Sequence, residues 1–296
     1  MSGVQAIGGY RLMRLLGRGT TGSVFLARDP ASDSDVALKT LRWLAGAAQG
    51  PELELRLRFD REVTIAARLS HPGIVTVLAS GHEPGLAWIA MEYVAGANLT
   101  RYCSLARLLP SDLVVEVLAA ILDALGHAHR QGVLHRDLKP ANILIDLSRR
   151  VVKLADFGVG WLDDAARTRT GVSLGSPAYM APELLAGAEP QPRADLYSVG
   201  VLAYEMLTGR LPYQGTSMGA LLRASVGAEA ADVRDHQPSV APELAGWVAA
   251  LMHRSAASRP ANAELALEAL HQARGSAKGS VKSPTLAGLS ARRQPT

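Results

Sequence analysis

Only one cysteine, Cys103, occurs in the 296 residues. That rules out an internal disulfide and a cysteine-built metal centre, and the plainer reading is an incidental thiol in a reducing cytosol. Long apolar runs are missing too. The longest apolar-rich stretch, Leu113 to Leu125, is interrupted by Glu116 and Asp123, and falls short of the ~18–20 apolar residues a membrane span needs. The N-terminus has neither the basic nor the apolar region of a signal peptide. The expectation is a soluble, cytoplasmic chain without a membrane span. Acids are absent from the last stretch: from Gln272 onward there are five basic residues (Arg274, Lys278, Lys282, Arg292, Arg293) and no Asp or Glu. The high pI therefore belongs to a tail, since residues 1–271 hold 26 basic against 27 acidic residues. A body so close to neutral argues against nucleic acid as a partner, because binding a phosphate backbone needs a basic face on the fold itself.

What is present changes in texture along the chain. The first ninety or so residues read as short strands: Tyr10–Leu16, Ser23–Arg28 and Asp35–Thr40, then Ile74–Ser80 and Leu86–Met91 around the turn signal His82-Glu83-Pro84-Gly85. One helix interrupts them, from about Pro51 to Leu69. Beyond Gly96 helices dominate. Apolar residues at 114, 117, 118, 121, 122 and 125 give Ser111 to Arg130 a helical period. Ala194–Thr208 and Glu243–His253 read as helical too, with Gly209 placed to stop the first. The expected class is α+β in two lobes: a small antiparallel sheet with one helix over residues 1–95, and a larger, mainly helical lobe over 96–272. Residues 273–296 form a basic Ser/Gly/Ala-rich tail, and from Gly275 onward the composition predicts disorder.

Chemistry-bearing residues fall at telling positions. Gly17-Arg18-Gly19-Thr20-Thr21-Gly22-Ser23-Val24 lies between two predicted strands, where glycines let a backbone approach phosphates. A Rossmann site shares the glycine spacing but opens a helix, whereas this loop opens a strand. Fifteen residues after Val24, Lys39 ends the strand Val36-Ala37-Leu38-Lys39. In the following helix Leu55, Phe59, Ala66 and Leu69 fall on one face with Glu62 in the middle of the stripe. A carboxylate facing a core needs a cation, and Lys39 is the natural candidate. The densest segment is His135-Arg136-Asp137-Leu138-Lys139-Pro140-Ala141-Asn142. There an acid can accept a proton from an attacking hydroxyl, a lysine can steady a phosphoryl group, and an asparagine oxygen can bind Mg²⁺. Nineteen residues beyond Asp137 comes Asp156-Phe157-Gly158, after the apolar strand Val151–Leu154. Asp156 is a hard oxygen ligand suited to Mg²⁺ on nucleotide phosphates, although an Asp-x-Gly turn is the plainer reading.

Taken together these segments resemble the eukaryotic-like (Hanks-type) protein kinases, from about Tyr10 to Pro260. Later markers agree: Ala181-Pro182-Glu183, Asp195-Leu196-Tyr197-Ser198-Val199-Gly200, and Arg259 before Pro260. Bacterial serine/threonine kinases are the nearest in flavour, from Arg-Phe-x-Arg-Glu and Leu-Ser-His-Pro-Gly-Ile-Val around the first helix.

The resemblance implies a bilobal kinase fold, ATP with Mg²⁺ (or Mn²⁺), and protein substrates phosphorylated on Ser or Thr. By residue, it implies that Leu16, Gly17, Gly19, Gly22 and Val24 cover ATP, and that Ala37 packs on the adenine. Lys39, paired with Glu62, holds the α- and β-phosphates. Met91 is the gatekeeper, and Glu92-Tyr93-Val94 the hinge. Asp137 and Lys139 act on the acceptor and the phosphoryl group, while Asn142 and Asp156 hold the metal. Glu183 pairs with Arg259, and Asp195 supports the catalytic loop. The Thr20-Thr21 loop tip departs from relatives that carry an aromatic at the second of these positions.

Arg136 before the catalytic Asp goes with control by phosphorylation of the activation loop, and Thr168 and Thr170 match the threonines that bacterial members autophosphorylate. Ser176 matches a position that seats substrate. Pairing of two copies through the N-lobe is a further expectation. His127 and His129 sit two apart on a helix, on different faces, so a structural role is their plainer reading. The competing readings are a pseudokinase scaffold and a small-molecule phosphotransferase of the aminoglycoside kind. The first predicts loss of Lys39, Asp137 or Asp156, and the second lacks Ala-Pro-Glu and a lysine at position 139.

Overall fold

Alternating apolar and polar residues, punctuated by turn residues, build a six-stranded antiparallel sheet in the N-terminal lobe of this computed structural model. It describes residues 6–18, 22–42, 49–157, 177–215 and 217–279. The strands are β1 (Ala6–Ile7), β2 (Tyr10–Arg18), β3 (Gly22–Arg28), β4 (Asp35–Arg42), β5 (Val77–Glu83) and β6 (Leu86–Glu92). Their order is β1-β2-β3-β4-β6-β5. The register places Val24 opposite Lys39 and Ala37 opposite Met91. Helix α1 (Gln49–Ala66) packs against β5. Ala27, Val36, Leu38 and Ala90 are buried with Tyr10 and Trp88 at their edge. Leu41, Phe59, Val63, Val75, Ile89 and Met91 form a second buried cluster beneath α1.

A three-stranded sheet of β7 (Ala97–Asn98), β8 (Ile143–Asp146) and β9 (Val151–Leu154), in the order β7-β8-β9, opens the second lobe. The lobes are joined in the backbone as well: Val75 N–H donates to Leu154 O at 2.8 Å, and Leu154 N–H to Gly73 O at 2.8 Å.

The helices of this lobe are α2 (Ser111–Arg130), α3 (Pro182–Leu185), α4 (Pro192–Thr208), α5 (Met218–Gly227), α6 (Val233–His236), α7 (Pro242–Leu251) and α8 (Ala263–Gly279). The apolar period of α2 is realised as packing, since Val114, Val117, Leu118, Ile121, Leu122 and Leu125 are all buried. Helix α4 is buried nearly all round and ends at Gly209, whose φ of 69° is the left-handed cap conformation. A Cβ at Gly209 would come within 2.8 Å of the Leu105 nitrogen, so shape and backbone both require glycine there. One ion pair pins the end of the substrate-side segment to this core. The Arg259 guanidinium, 3% exposed, donates to both Glu183 carboxylate oxygens at 2.6 and 2.9 Å and lies over the Tyr197 ring. Such a two-pronged match of guanidinium to carboxylate is the strong form of the interaction.

One expectation needs correcting. Helix α8 runs to Gly279, past Gly275 where disorder was expected. Ala273 is buried, and Arg274 lies near two acids of α2, 3.9 Å from Asp112 and 3.3 Å from Glu116. That long-range pairing outweighs the poor local propensity. The remaining tail, like the loop tip at 19–21, lies outside the described residues. Helices α3, α5, α6 and α8 were not read from the sequence at all.

Candidate active site

The catalytic loop is organised by one buried carboxylate. Asp195 stands in the first turn of α4 and is 3% exposed. It accepts the backbone N–H groups of His135 (2.9 Å) and Arg136 (3.0 Å), and its Oδ2 lies 2.8 Å from His129 Nε2 on α2. Burial pushes the Asp195 carboxyl up, but the His129 hydrogen bond and charge more than offset it, and the net shift is downward. This support matters because Arg136 has a φ of 66°, left-handed and unusual for a residue with a side chain. Strain of that kind costs about 1–3 kcal/mol and persists only where the surroundings over-determine it.

His135 is fully buried, its ring 4.7 Å from that of Phe157, and its Nε2 donates to the Ala155 carbonyl at 3.1 Å. Burial lowers its pKa against the pull of three nearby aspartates, which keeps the ring neutral and structural.

Asp137 follows, bracketed on two sides. Lys139 Nζ donates to its Oδ2 at 2.6 Å, and Asn142 Nδ2 donates to its backbone oxygen at 2.8 Å and to Oδ2 at 3.1 Å. Asn142 lies in the short 3-10 turn Pro140–Asn142, started by proline, and its carbonyl accepts the Ala155 N–H at 2.8 Å. The residue that follows Ala155 is Asp156. It too is left-handed, at φ 64°, and its Oδ1 lies 2.8 Å from Lys39 Nζ. Burial raises the Asp156 carboxyl, and the Lys39 ammonium outweighs that so that the net shift is downward. The Lys39–Asp156 pair joins the two lobes across the cleft.

Above the cleft, Ala37, Val94 and Leu144 line one apolar cluster with Met91. Among the described residues, a Cβ on Gly17 would meet no atom within 4 Å. At Gly22, by contrast, a Cβ would collide with the Thr40 carbonyl, so the pairing of β3 with β4 itself requires glycine there. The Glu92 carboxylate is taken by Lys153 at 2.8 Å, so its backbone is what it can offer a ligand. Leu16 and Val24 flank this surface on β2 and β3.

One expected contact is not made. Among the described residues no ion pair within 4.0 Å joins Lys39 to Glu62, and the Lys39 ammonium sits on Asp156 instead. Glu62 lies half-buried on α1. Gly19, Thr168, Thr170 and Ser176 lie outside the described residues. Sequence reading also missed three partnerships: His129 with Asp195, Lys153 with Glu92, and His82 with Asp60.

Asn142 and Asp156 offer hard oxygens, and among the described residues no group of three His, Cys, Asp or Glu side chains is arranged to hold a metal. That donor set fits a cation held by one or two protein oxygens together with phosphate and water, the manner of Mg²⁺. No helix among the described residues is long and apolar enough to cross a membrane.

Comparison with known proteins agrees with this geometry. The family description "Protein kinase domain" matches residues 10–272. The serine/threonine-protein kinase pkn3 of Myxococcus xanthus is 37% identical over 266 residues, covering 86% of this chain and 48% of that protein. The serine/threonine-protein kinase PknJ of Mycobacterium tuberculosis is 40% identical over 257 residues, covering 85% of this chain and 42% of that protein. A crystal structure of the Mycobacterium tuberculosis PknI kinase domain superposes with a TM-score of 0.72 at 30% identity, covering 92% of this chain and 99% of that one. The chain belongs to the protein kinase domain family, among the bacterial Hanks-type serine/threonine protein kinases. It spans less than half the length of the two curated relatives just described. Membership carries ATP as the phosphoryl donor and the use of a divalent metal, and relatives named as kinases do not favour the pseudokinase alternative.

The pH dependence of stability follows from Asp195. Its native pKa lies below the ordinary 3.8, so its contribution is complete above that value and is lost as pH falls from there through the native pKa. Urea unfolding as a function of pH is expected to show this acid loss in the wild type and a shallower slope in Asp195→Asn, which is less stable at neutral pH. Parallel acid slopes in the two proteins would show that Asp195 is not held this way.

Proposed function

We propose that this serine/threonine kinase domain works by holding ATP between Lys39 and the glycine loop while Asp137 takes the acceptor hydroxyl. The observation that carries the proposal is the bracketing of Asp137 by Lys139 and Asn142 beside the Lys39–Asp156 pair. In this reading Asp137 orients the Ser or Thr hydroxyl and accepts its proton as the oxygen attacks the γ-phosphorus. Lys139, already on the same carboxylate, shifts its charge toward the transferring phosphoryl oxygens. Lys39 holds the α- and β-phosphates. Leu16, Gly17, Gly19, Gly22, Val24 and Ala37 cover the nucleotide, and Met91, Glu92 and Val94 set the depth and the hinge edge of the adenine site. Asn142 and Asp156 would hold Mg²⁺, which when bound supplies neutralisation of phosphate charge. Glu62 is Lys39's partner in the working state, reached by an inward movement of α1. The use of ATP and the buried free thiol of Cys103 both suit the cytoplasm.

Asp137→Asn keeps the shape and removes the base, so kcat is expected to fall by about 10²–10⁴-fold while binding of a non-hydrolysable ATP analogue is kept. Turnover equal to wild type would show that Asp137 is not the base. Autophosphorylation at Thr168 and Thr170 belongs to the same proposal. Phosphopeptide mapping after incubation with ATP should find both modified, and an active enzyme bare at both positions rejects them as the sites.

A further inference from the structure

The position of α1 decides whether Glu62 can reach Lys39. Phe59, Glu62, Val63 and Ala66 share one face of the helix by spacing. Phe59 is fully buried and Val63 and Ala66 nearly so, yet Glu62 is only half-buried. Between this face and the cleft lies a cavity of about 20 Å³, lined by Val63, Ala66, Val77, Met91, Asp156 and Phe157. It has room for about one water, or for a small approach of the helix. The helix therefore stands slightly off the surface against which it would close.

Something holds it there. Asp60 Oδ1 lies 2.7 Å from His82 Nε2 on β5, the edge strand of the sheet. A carboxylate only accepts, so Nε2 carries the hydrogen and donates. The His82 ring also meets Phe59 edge-on, with centroids 5.2 Å apart. The sequence of α1 is rich in charge and its apolar face is narrow, so each remaining contact weighs more in setting where the helix rests. The neighbouring charge on β5, Glu83, is engaged elsewhere and accepts the Gly8 N–H at 2.6 Å. The residue opposite His82 on β6 is Ala87.

We propose that the His82–Asp60 pair is a brake on the Lys39–Glu62 contact. It holds α1 against the edge strand in the stand-off position. Its release lets α1 close on the cavity, so that Glu62 reaches Lys39 and draws it away from Asp156. Asp60 and Glu62 are two residues apart, about 200° around the helix axis. A shift of the helix that brings Glu62 toward Lys39 therefore carries Asp60, on the far side of the axis, with it and stretches the bond to His82. Both residues of the brake are positioning residues, acting through the helix and touching no substrate. The proposal rests on the reading of Glu62 as the partner of Lys39 in the working enzyme.

The test is steady-state ADP production by the whole chain, with a serine/threonine peptide library as acceptor. The variants are His82→Phe, which keeps a ring against Phe59 and removes the donor, Asp60→Ala, Glu62→Gln, and His82→Phe combined with Glu62→Gln. The brake predicts a kcat about two- to fivefold above wild type in His82→Phe and in Asp60→Ala, the size a partly exposed ion pair can supply. KM for ATP stays unchanged, and the gain disappears in the double variant. A loss of packing alone does not raise kcat, so the sign of the effect separates the two explanations. If both single variants are no faster than wild type while Glu62→Gln is impaired, the brake is overturned and the Glu62 assignment stands. A gain that survives in the double variant also overturns it. Glu62→Gln as active as wild type overturns the assignment and the brake together. Should His82→Phe fail to fold, Asp60→Ala, at a side chain 54% exposed, carries the same comparison with its own Glu62→Gln double.

Discussion

A buried carboxylate with three donors is the constraint on which the catalytic machinery depends. Asp195 is charged in a place where an unpaired charge could not be tolerated, and its stability comes from two backbone N–H groups and one imidazole. Those same bonds fix the conformation of residues 135 and 136, including the left-handed turn at Arg136. Asp137 begins at the end of that held segment, so its direction is inherited from Asp195, 58 residues further along the chain. The helix that carries Asp195 is buried almost all round, and the catalytic loop is thus anchored to the most rigid part of the larger lobe. The Arg259–Glu183 pair applies the same logic to the end of the segment after the loop.

The smaller lobe is held less tightly where it matters. Lys39 is fixed in a strand with partners on both sides, whereas the helix that carries Glu62 packs Phe59 and Val63 into a small apolar cluster and meets the edge strand through the Asp60–His82 pair. Asp156 offers Lys39 a nearby, buried countercharge 2.8 Å from its ammonium. The two carboxylates compete for one ammonium, and a metal-bound nucleotide would make its own claim on Asp156.

Much of this was legible in the sequence, for reasons that differ from place to place. Helix α2 was bounded correctly at both ends because its apolar period is uninterrupted over the whole of Ser111–Arg130. The strand before Lys39 and the strand before Asp156 were legible from short apolar runs between turn residues. The candidate residues of the catalytic loop could be singled out because an acid, a lysine and a carboxamide fall within the eight positions from His135 to Asn142, and the resemblance to Hanks-type kinases implied their roles. Less legible was anything decided by distant pairing. Helix α8 outlasts its glycine because Arg274 finds acids on α2, and nothing within a local window announces that. His129 looked like any histidine on a helix until Asp195, 66 residues away, was placed beside it. The helical wheel put Glu62 on the stripe of Phe59 and Ala66, which are buried while Glu62 is only half-buried; a wheel gives direction and not distance, so the missing ion pair to Lys39 could not be read from it.

In the proposed working enzyme Lys39, Asp137, Asn142 and Asp156 serve one metal-bound triphosphate in the cleft between the lobes. Isothermal titration of a non-hydrolysable ATP analogue, with and without Mg²⁺, into wild type and Asp156→Asn tests this. Wild-type binding should tighten on adding Mg²⁺, and Asp156→Asn should bind the nucleotide with that dependence largely removed. Equal tightening by Mg²⁺ in the two proteins would contradict the claim, because the metal would then be held somewhere other than beside Asp156.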